Sequence, residues 1–126
     1  MKVSRRLIDD VAVVALSGAL DSRSTAEVQD RLVQLLPQHD CVVVDLSRVT
    51  CVSSASLRML VLIYRQARGL GHTVAVVGLS PEVHNVLDAT GFLDFFIVSD
   101  TVADGVANVL NRVEGRLEDE RAVARA

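Results

Sequence analysis

The chain has 126 residues and a formal net charge of -3, and 50% of its residues are hydrophobic although only 3% are aromatic. This composition predicts one domain with an aliphatic core, and the lack of a basic patch argues against a nucleic-acid partner. No apolar run approaches the roughly 20 residues that span a bilayer, and residues 1–10 lack the apolar centre of a signal peptide, so we expect a cytoplasmic protein without a membrane partner.

The N-terminal segment predicts a β-hairpin. Residues 2–7 mix charged and apolar side chains, which is typical of an edge strand. Residues 11–16 are apolar on both faces, which is typical of a central strand. Asp9 and Asp10 lie between the two runs, so the first strand should run antiparallel to the second.

A turn at residues 18–22 should separate this hairpin from the first helix. Ser24, followed three residues later by Glu27, is a capping-box pattern, and Pro37 marks the end of the helix. Apolar residues at helical spacing form its buried stripe: Val28, Leu32, Leu35 and Leu36.

The centre of the chain predicts a strand, a polar loop and a helix. Residues 41–46 form a short apolar run, as in a strand buried on both faces, and residues 47–50 end it. Ser53 or Ser54 can cap a helix that begins near Ala55. A strand that leads into a helix N-terminus leaves backbone N–H groups beside these hydroxyls. Such a place in an α/β domain suits a site that binds, or carries, a negative charge.

The helix after this loop is apolar on two sides. Met59, Leu62 and Ile63 lie on the second side, between Arg58 and Arg65. Such a helix is either covered by a neighbouring helix or presents a docking surface. The first side should face the core with Leu57, Leu60, Val61, Tyr64 and Ala67.

The next two elements are a strand at residues 73–77 and a short helix. The helix should begin at Ser80, with Pro81 in its first turn, and end at Gly91. Its buried stripe should consist of Val83, Val86 and Leu87.

The C-terminal part predicts a strand at residues 95–98 and a last helix capped by Ser99 or Asp100. Residues 118–126 alternate charge and alanine and should fray, so we place the domain at residues 1–117. The apolar face of the last helix should consist of Val102, Val106, Val109, Leu110, Val113 and Leu117.

The predicted order is β-β-α-β-α-β-α-β-α. Apolar strands that alternate with helices indicate an α/β fold, with a mainly parallel sheet and right-handed crossovers. We therefore expect a single domain with a mixed five-stranded sheet and four helices.

The sequence offers little for catalysis. It has no glycine-rich phosphate loop and no nucleophile elbow. The cysteines at positions 41 and 51 and the scattered histidines do not have the spacing of a metal site. We expect a protein that is not an enzyme and that holds no metal and no cofactor.

Three motifs in the correct order resemble the bacterial anti-sigma factor antagonist family, a class of STAS domains. The family pattern D-L-S-x-V-x-F/Y-I/M-D-S-S/T-G-L falls on residues 45–57, and similar agreement is found at residues 16–21 and 80–92. In the first motif the matching residues are Asp45, Leu46, Ser47, Val49, Ser54 and Leu57.

The resemblance implies a STAS fold, which agrees with the predicted order, and a function in partner switching. A family member binds an anti-sigma factor, which is a histidine-kinase-like ATPase, and this binding frees a sigma factor. The kinase then phosphorylates a Ser or Thr in the motif. The added charge of roughly -1.5 to -2 repels the partner from the packed interface.

This sequence departs from the family at the phosphorylated position. Aligned without a gap, Ser53 stands at the motif aspartate, Ser54 at its first serine, Ala55 at the acceptor hydroxyl and Ser56 at the glycine. The usual switch is therefore expected to be absent at residue 55. Ser54 and Ser56 remain candidate phosphorylation sites, and the alternative is that they only cap the helix and shape the turn.

The resemblance also predicts the partner surface. Asp21 matches an aspartate in a family turn and should lie near the serine loop. The expected partner-binding residues are Asp21, Ser53, Ser54, Ala55, Ser56, Arg58, Met59 and Leu62.

Two functions remain open. The first is an anti-sigma factor antagonist without the phosphoserine switch. The second is a STAS scaffold or sensory module that binds other STAS proteins in a larger complex. Either function is compatible with a homodimer.

Overall fold

The computed structural model describes the backbone of residues 1–125 and the side chains of residues 1–113 and 115. Two 3-10 segments, Leu36–Gln38 and Phe92–Phe95, accompany the regular elements. The strands are β1 Lys2–Ile8, β2 Val11–Leu20, β3 Cys41–Val52, β4 Thr73–Val77 and β5 Ile97–Ser99. The helices are α1 Thr25–Leu35, α2 Ser54–Gly69, α3 Pro81–Ala89 and α4 Val102–Arg125.

The sheet has the strand order β1-β2-β3-β4-β5. β1 pairs antiparallel with β2, and all other neighbours are parallel. The α/β fold class, the element order and the mixed, mainly parallel sheet are confirmed. No helix in the described part of the chain is both long enough and apolar enough to cross a membrane.

Each face of the sheet has its own core, because successive side chains of a strand point to opposite faces. α1 and α2 cover one face, as expected for right-handed crossovers between neighbouring parallel strands. α4 covers the other face over β3, β4 and β5. The α1 and α2 side buries Val14, Leu32, Val44, Leu60 and Val76, and the α4 side buries Val13, Val43, Val77, Val106 and Val109.

A glycine allows α4 to approach the sheet closely. A Cβ atom on Gly105 would lie 2.5 Å from Cγ1 of Val77 and 3.4 Å from Cγ1 of Val43. The first distance is too short for two carbon atoms, so any side chain at position 105 would push α4 away from the sheet.

Two predicted strand ends were wrong, because β2 continues to Leu20 and β3 continues to Val52. The predicted turn at residues 18–22 and the predicted break at residues 47–50 lie partly or wholly within these strands. The polar residues remain in the ladder because β2 and β3 pair with each other beyond the end of β4. Two register shifts occur in this ladder, and at each of them β3 contains one residue more than β2.

The prediction of a capping box at the start of α1 was also wrong. Ser24 already has helical backbone angles, and its side chain makes no capping bond. Its hydroxyl instead donates to the carbonyl of Ala19 at 2.8 Å and accepts from the N–H of Asp21 at 3.1 Å. Ser24 therefore holds the end of β2 in place.

The second half of the chain confirms some predictions and corrects others. β4 has the predicted bounds, and Ser80 caps α3 by accepting from the N–H of Val83 at 3.2 Å. Val86, predicted to be buried, is exposed, because α3 packs on Leu57 of α2 through Val83 and Leu87.

The last strand and the last helix both differ from the prediction. β5 begins only at Ile97, since Phe95 belongs to the preceding 3-10 segment. Neither Ser99 nor Asp100 makes the capping bond of α4, because the hydroxyl of Thr101 accepts from the N–H of Asp104 at 3.1 Å.

The end of α4 lies in the tail that we expect to fray, and this fraying stays a prediction. The structure continues the helix to Arg125, through most of residues 118–126. Glutamate, arginine and alanine are good helix formers, which agrees with this continuation. The side chain of Leu117, the last residue of the predicted apolar face, lies outside the described residues.

Candidate functional site

The loop between β3 and α2 lies at the carboxyl ends of two paired strands. Leu20 and Val52 form the last pair of the β2–β3 ladder, and the N–H of Ser53 donates to the carbonyl of Leu20 at 2.9 Å. Asp21 follows Leu20 directly, so the structure places Asp21 beside the serine loop.

Ser53 is the residue that caps α2. Its backbone is extended, and its hydroxyl accepts from the N–H of Ser56 at 3.1 Å. Ser54 is the first residue of the helix and is exposed, so its side chain is accessible from solvent. Of the two serines predicted as possible caps, Ser53 therefore caps the helix and Ser54 does not.

Ser56 forms the centre of a buried hydroxyl network. Its side chain is 0% exposed, and its Oγ donates to the carbonyl of Leu20 at 2.8 Å. The same oxygen lies 2.9 Å from Oγ of Ser53 and 2.6 Å from Oγ1 of Thr25. Ser56 thus joins the end of β2 to the first turns of α1 and α2.

The environment of Ser56 argues against its modification. A kinase cannot reach a hydroxyl that is fully buried, and a phosphate there would displace all three hydroxyl contacts. Burying that charge among neutral hydroxyls and carbonyls would be costly. Of the two candidate phosphorylation sites, only Ser54 is accessible in this structure.

Asp21 orders the turn between β2 and α1. Its Oδ1 accepts from the N–H of Arg23 at 2.9 Å and from the N–H of Ser24 at 3.3 Å. Its carbonyl accepts from the hydroxyl of Thr25, which also contacts Ser56. A change in this turn is therefore connected to the start of α2 through two hydroxyl groups.

Sequence reasoning missed the part that Thr25 plays in this network. The spacing of Asp21 and Thr25 is a local signal for a hydroxyl that bonds to a carbonyl four residues before it. The contact between Thr25 and Ser56 joins residues far apart in the chain, and no local pattern predicts it.

The second apolar side of α2 is largely covered by α1. Met59 is 2% exposed, and Ile63 is buried in the same core as Val28 and Leu32 of α1. The prediction that Met59 belongs to an exposed docking surface was wrong, because a neighbouring helix packs on that side. Leu62 remains 44% exposed.

The solvent side of α2 is cationic. Its charged residues are Arg58, Arg65 and Arg68, and the helix contains no acidic residue. Within the described residues, the ion pairs are Arg31 with Glu27 and His72 with Asp40, so none of these three arginines has an acidic partner.

Four exposed residues of α2 follow one another along its solvent side, and we call them the α2 face: Ser54, Ala55, Arg58 and Leu62. The α2 face combines two small side chains next to the loop, those of Ser54 and Ala55, with the cation of Arg58 and the exposed side chain of Leu62. This combination suits binding of another protein. The described residues contain no cluster of His, Cys, Asp and Glu that could hold a metal ion.

Comparisons with known proteins find relatives over most of the chain. A family model described as "Mlab, STAS domain" matches residues 3–99. BtrV of Bordetella bronchiseptica, which is named as an anti-sigma factor antagonist, is 29% identical over 102 residues, covering 80% of this chain and 88% of BtrV. The anti-sigma F factor antagonist of Paenibacillus polymyxa is 26% identical over 106 residues, covering 82% of this chain and 87% of that protein.

The fold is also similar to that of a solved structure. The crystal structure of TM1081 from Thermotoga maritima, named as an anti-sigma factor antagonist, has a TM-score of 0.80 at 21% identity. The match covers 85% of this chain and 93% of that chain. At this identity the likeness supports the fold.

Proposed function

Because the chain belongs to the STAS domain family, we propose that it is an anti-sigma factor antagonist, which binds an anti-sigma factor and so frees a sigma factor. The two curated relatives support this proposal, since both carry that name and both match over most of this chain. The proposed activity is binding, and no covalent step is assigned to the chain.

We assign the contact with the partner to the α2 face and to the adjacent turn at Asp21. Leu62 offers an apolar side chain that a partner would remove from water, and Arg58 offers a charge for an acidic partner. The hydroxyl network below this surface fixes the first turn of α2. The partner would therefore meet a surface that is already ordered.

We further propose that this chain lacks the phosphoserine switch of its family. The observation that carries this proposal is Ala55, whose exposed methyl group stands at the family acceptor position in the first turn of α2. Neighbouring Ser56 does not replace the acceptor, because it is buried and hydrogen-bonded. Binding to the partner should then persist in the presence of ATP.

Intact-mass analysis tests this proposal. The wild type is incubated with its cognate anti-sigma kinase and ATP, and Ala55→Ser serves as the matched variant with a restored acceptor. We expect no added phosphate on the wild type and a single phosphate at residue 55 of the variant. A phosphate on wild-type Ser54 would contradict the proposal, because the acceptor would only have moved by one residue.

A second candidate function is a STAS scaffold or sensory module that assembles with other STAS proteins. The same observation favours it, because a scaffold does not need an acceptor at residue 55. Crosslinking, purification from the native cell and mass spectrometry separate the two functions. An ATPase-like anti-sigma protein supports the first function, and a multimer with other STAS proteins supports the second.

A further inference from the structure

The four aromatic residues of this chain lie together at one edge of the sheet. The sequence contains one tyrosine, three phenylalanines and no tryptophan. The ring centroid of Tyr64 lies 5.8 Å from that of Phe95 and 5.7 Å from that of Phe96, and Phe92 lies 6.3 Å from Phe95. This edge of the sheet is therefore aromatic, in a protein whose core is otherwise aliphatic.

A groove with a cavity volume of about 340 Å³ lies beside this cluster. It opens because β5 pairs with β4 only from Ala75 onward, which leaves Thr73 and Val74 without a neighbouring strand on that side. Its volume is at the lower end of the roughly 300 to 1,000 Å³ that small-molecule pockets occupy.

Two arginines line this groove from opposite layers of the fold. Arg68 comes from α2 on one face of the sheet and Arg112 comes from α4 on the other. Among the described residues, neither guanidinium takes part in a hydrogen bond or an ion pair. One acidic residue, Asp94, lines the same groove.

We propose that this groove binds a small organic anion, a carboxylate or a phosphate ester, with a planar apolar body. Each guanidinium offers a planar fork of charged donors that fits an oxyanion. The ring of Tyr64 and the rings of Phe95 and Phe96 provide the surface against which a planar body packs.

This site is independent of the proposed function. The groove lies at the amino end of β4, whereas the serine loop follows the carboxyl end of β3. Loss of ligand binding in the groove would therefore leave the interaction at the α2 face intact. The two proposals can fail separately.

The NMR signals of an isotope-labelled Tyr64 ring test the proposal, because this residue is the only tyrosine and its signals are therefore assigned without ambiguity. Phenyl phosphate and benzoate are titrated against the full chain, with inorganic phosphate and phenol as probes that lack the apolar body or the charge. Calorimetry gives the affinities. We expect at least one of the two aromatic anions to bind and to shift the ring signals of Tyr64, and to bind more tightly than inorganic phosphate or phenol.

Four variants locate the binding. Arg68→Gln and Arg112→Gln should each weaken binding by about tenfold or more, since each removes a charged hydrogen-bond donor. Asp94→Asn should strengthen it by about twofold to fivefold, because it removes a like charge from the groove. Arg65→Gln, on the same helix but outside the groove, should leave the affinity unchanged, and thermal melting confirms that every variant is folded.

Three results would overturn the proposal. The first is that neither aromatic anion binds at about 10 mM, a concentration at which even millimolar affinity would be detected. The second is that Arg65→Gln and Arg68→Gln weaken binding equally. The third is that inorganic phosphate binds as tightly as phenyl phosphate. Binding of only one of the two aromatic anions would support the site and identify its oxyanion.

Discussion

The two sides of α2 differ in what their residues contact. On the side that faces the sheet, Ser56 and Leu60 are buried, in the hydroxyl network and in the main core respectively. On the solvent side, Ala55 and Leu62 are exposed and belong to none of the buried core clusters. Residues one or two positions apart thus belong either to the fold or to the proposed binding surface. Substitutions on the two sides should be separable by measuring stability and binding independently.

The largest difference is expected between two leucines of α2. Leu60→Ala should lower the free energy of unfolding by about 2–5 kcal/mol, because it opens a cavity between α2 and the sheet. Leu62→Ala should lower it by less than about 1 kcal/mol, because the side chain is partly in water. Denaturant titration of both variants measures the two values. Equal losses would show that Leu62 is buried, and the α2 face could not then be a docking surface.

Two glycines extend the comparison to α4. Gly105→Ala should destabilise the protein by about 1–3 kcal/mol, because the new Cβ would meet Val77. Gly115→Ala in the same helix meets no atom within 4 Å and should stabilise it by about 0.5–1 kcal/mol through helix propensity. Thermal melting compares the two variants. A Gly105→Ala protein as stable as Gly115→Ala would contradict the close approach of α4 to the sheet.

Two serines make the comparison within a single turn of α2. Ser56→Ala should cost about 1–2 kcal/mol, because it removes the hydroxyl that joins Leu20, Thr25 and Ser53. Ser54→Ala should change the stability by no more than about 0.5 kcal/mol, since its side chain is exposed. Chemical denaturation measures both. If Ser54→Ala proved the more costly variant, the assignment of the buried network would be wrong.

Asp21→Asn is expected to change binding of the partner more than stability. An amide oxygen can still accept from the N–H groups of Arg23 and Ser24, so unfolding should change by less than about 1 kcal/mol. Binding of the partner should nevertheless weaken, because we expect the carboxylate of Asp21 to pair with a cationic group of the partner, apart from the acidic group that faces Arg58. Parallel measurements of melting temperature and affinity separate the two effects. A variant that loses stability and keeps its affinity would remove Asp21 from the binding surface.

The sequence predicted those parts of the fold that depend on local patterns. Short strand-like runs around Asp9 and Asp10 predicted the hairpin, an apolar run predicted β4, and Ser80 with Pro81 predicted the start of α3. The ends of β2 and β3 could not be predicted in this way. Their polar residues remain in the sheet only because the two strands pair with each other over a long stretch.

The candidate site shows the same limit. The burial of Met59 depends on where α1 packs, and the role of Ser56 depends on the position of Thr25. Neither relationship has a local signature in the sequence. The assignment of Ala55 to the acceptor position came from the family resemblance, and its exposure in the first turn of α2 came from the structure.

The affinity for the cognate anti-sigma factor, measured by calorimetry with ATP and again with a non-hydrolysable ATP analogue, tests the central claim most directly. A chain without an acceptor at residue 55 should give dissociation constants that agree within about threefold. The opposite result is a dissociation constant that is about tenfold or more higher with ATP than with the analogue, together with a phosphate on this chain. This result would contradict the claim that the antagonist binds without a phosphate switch.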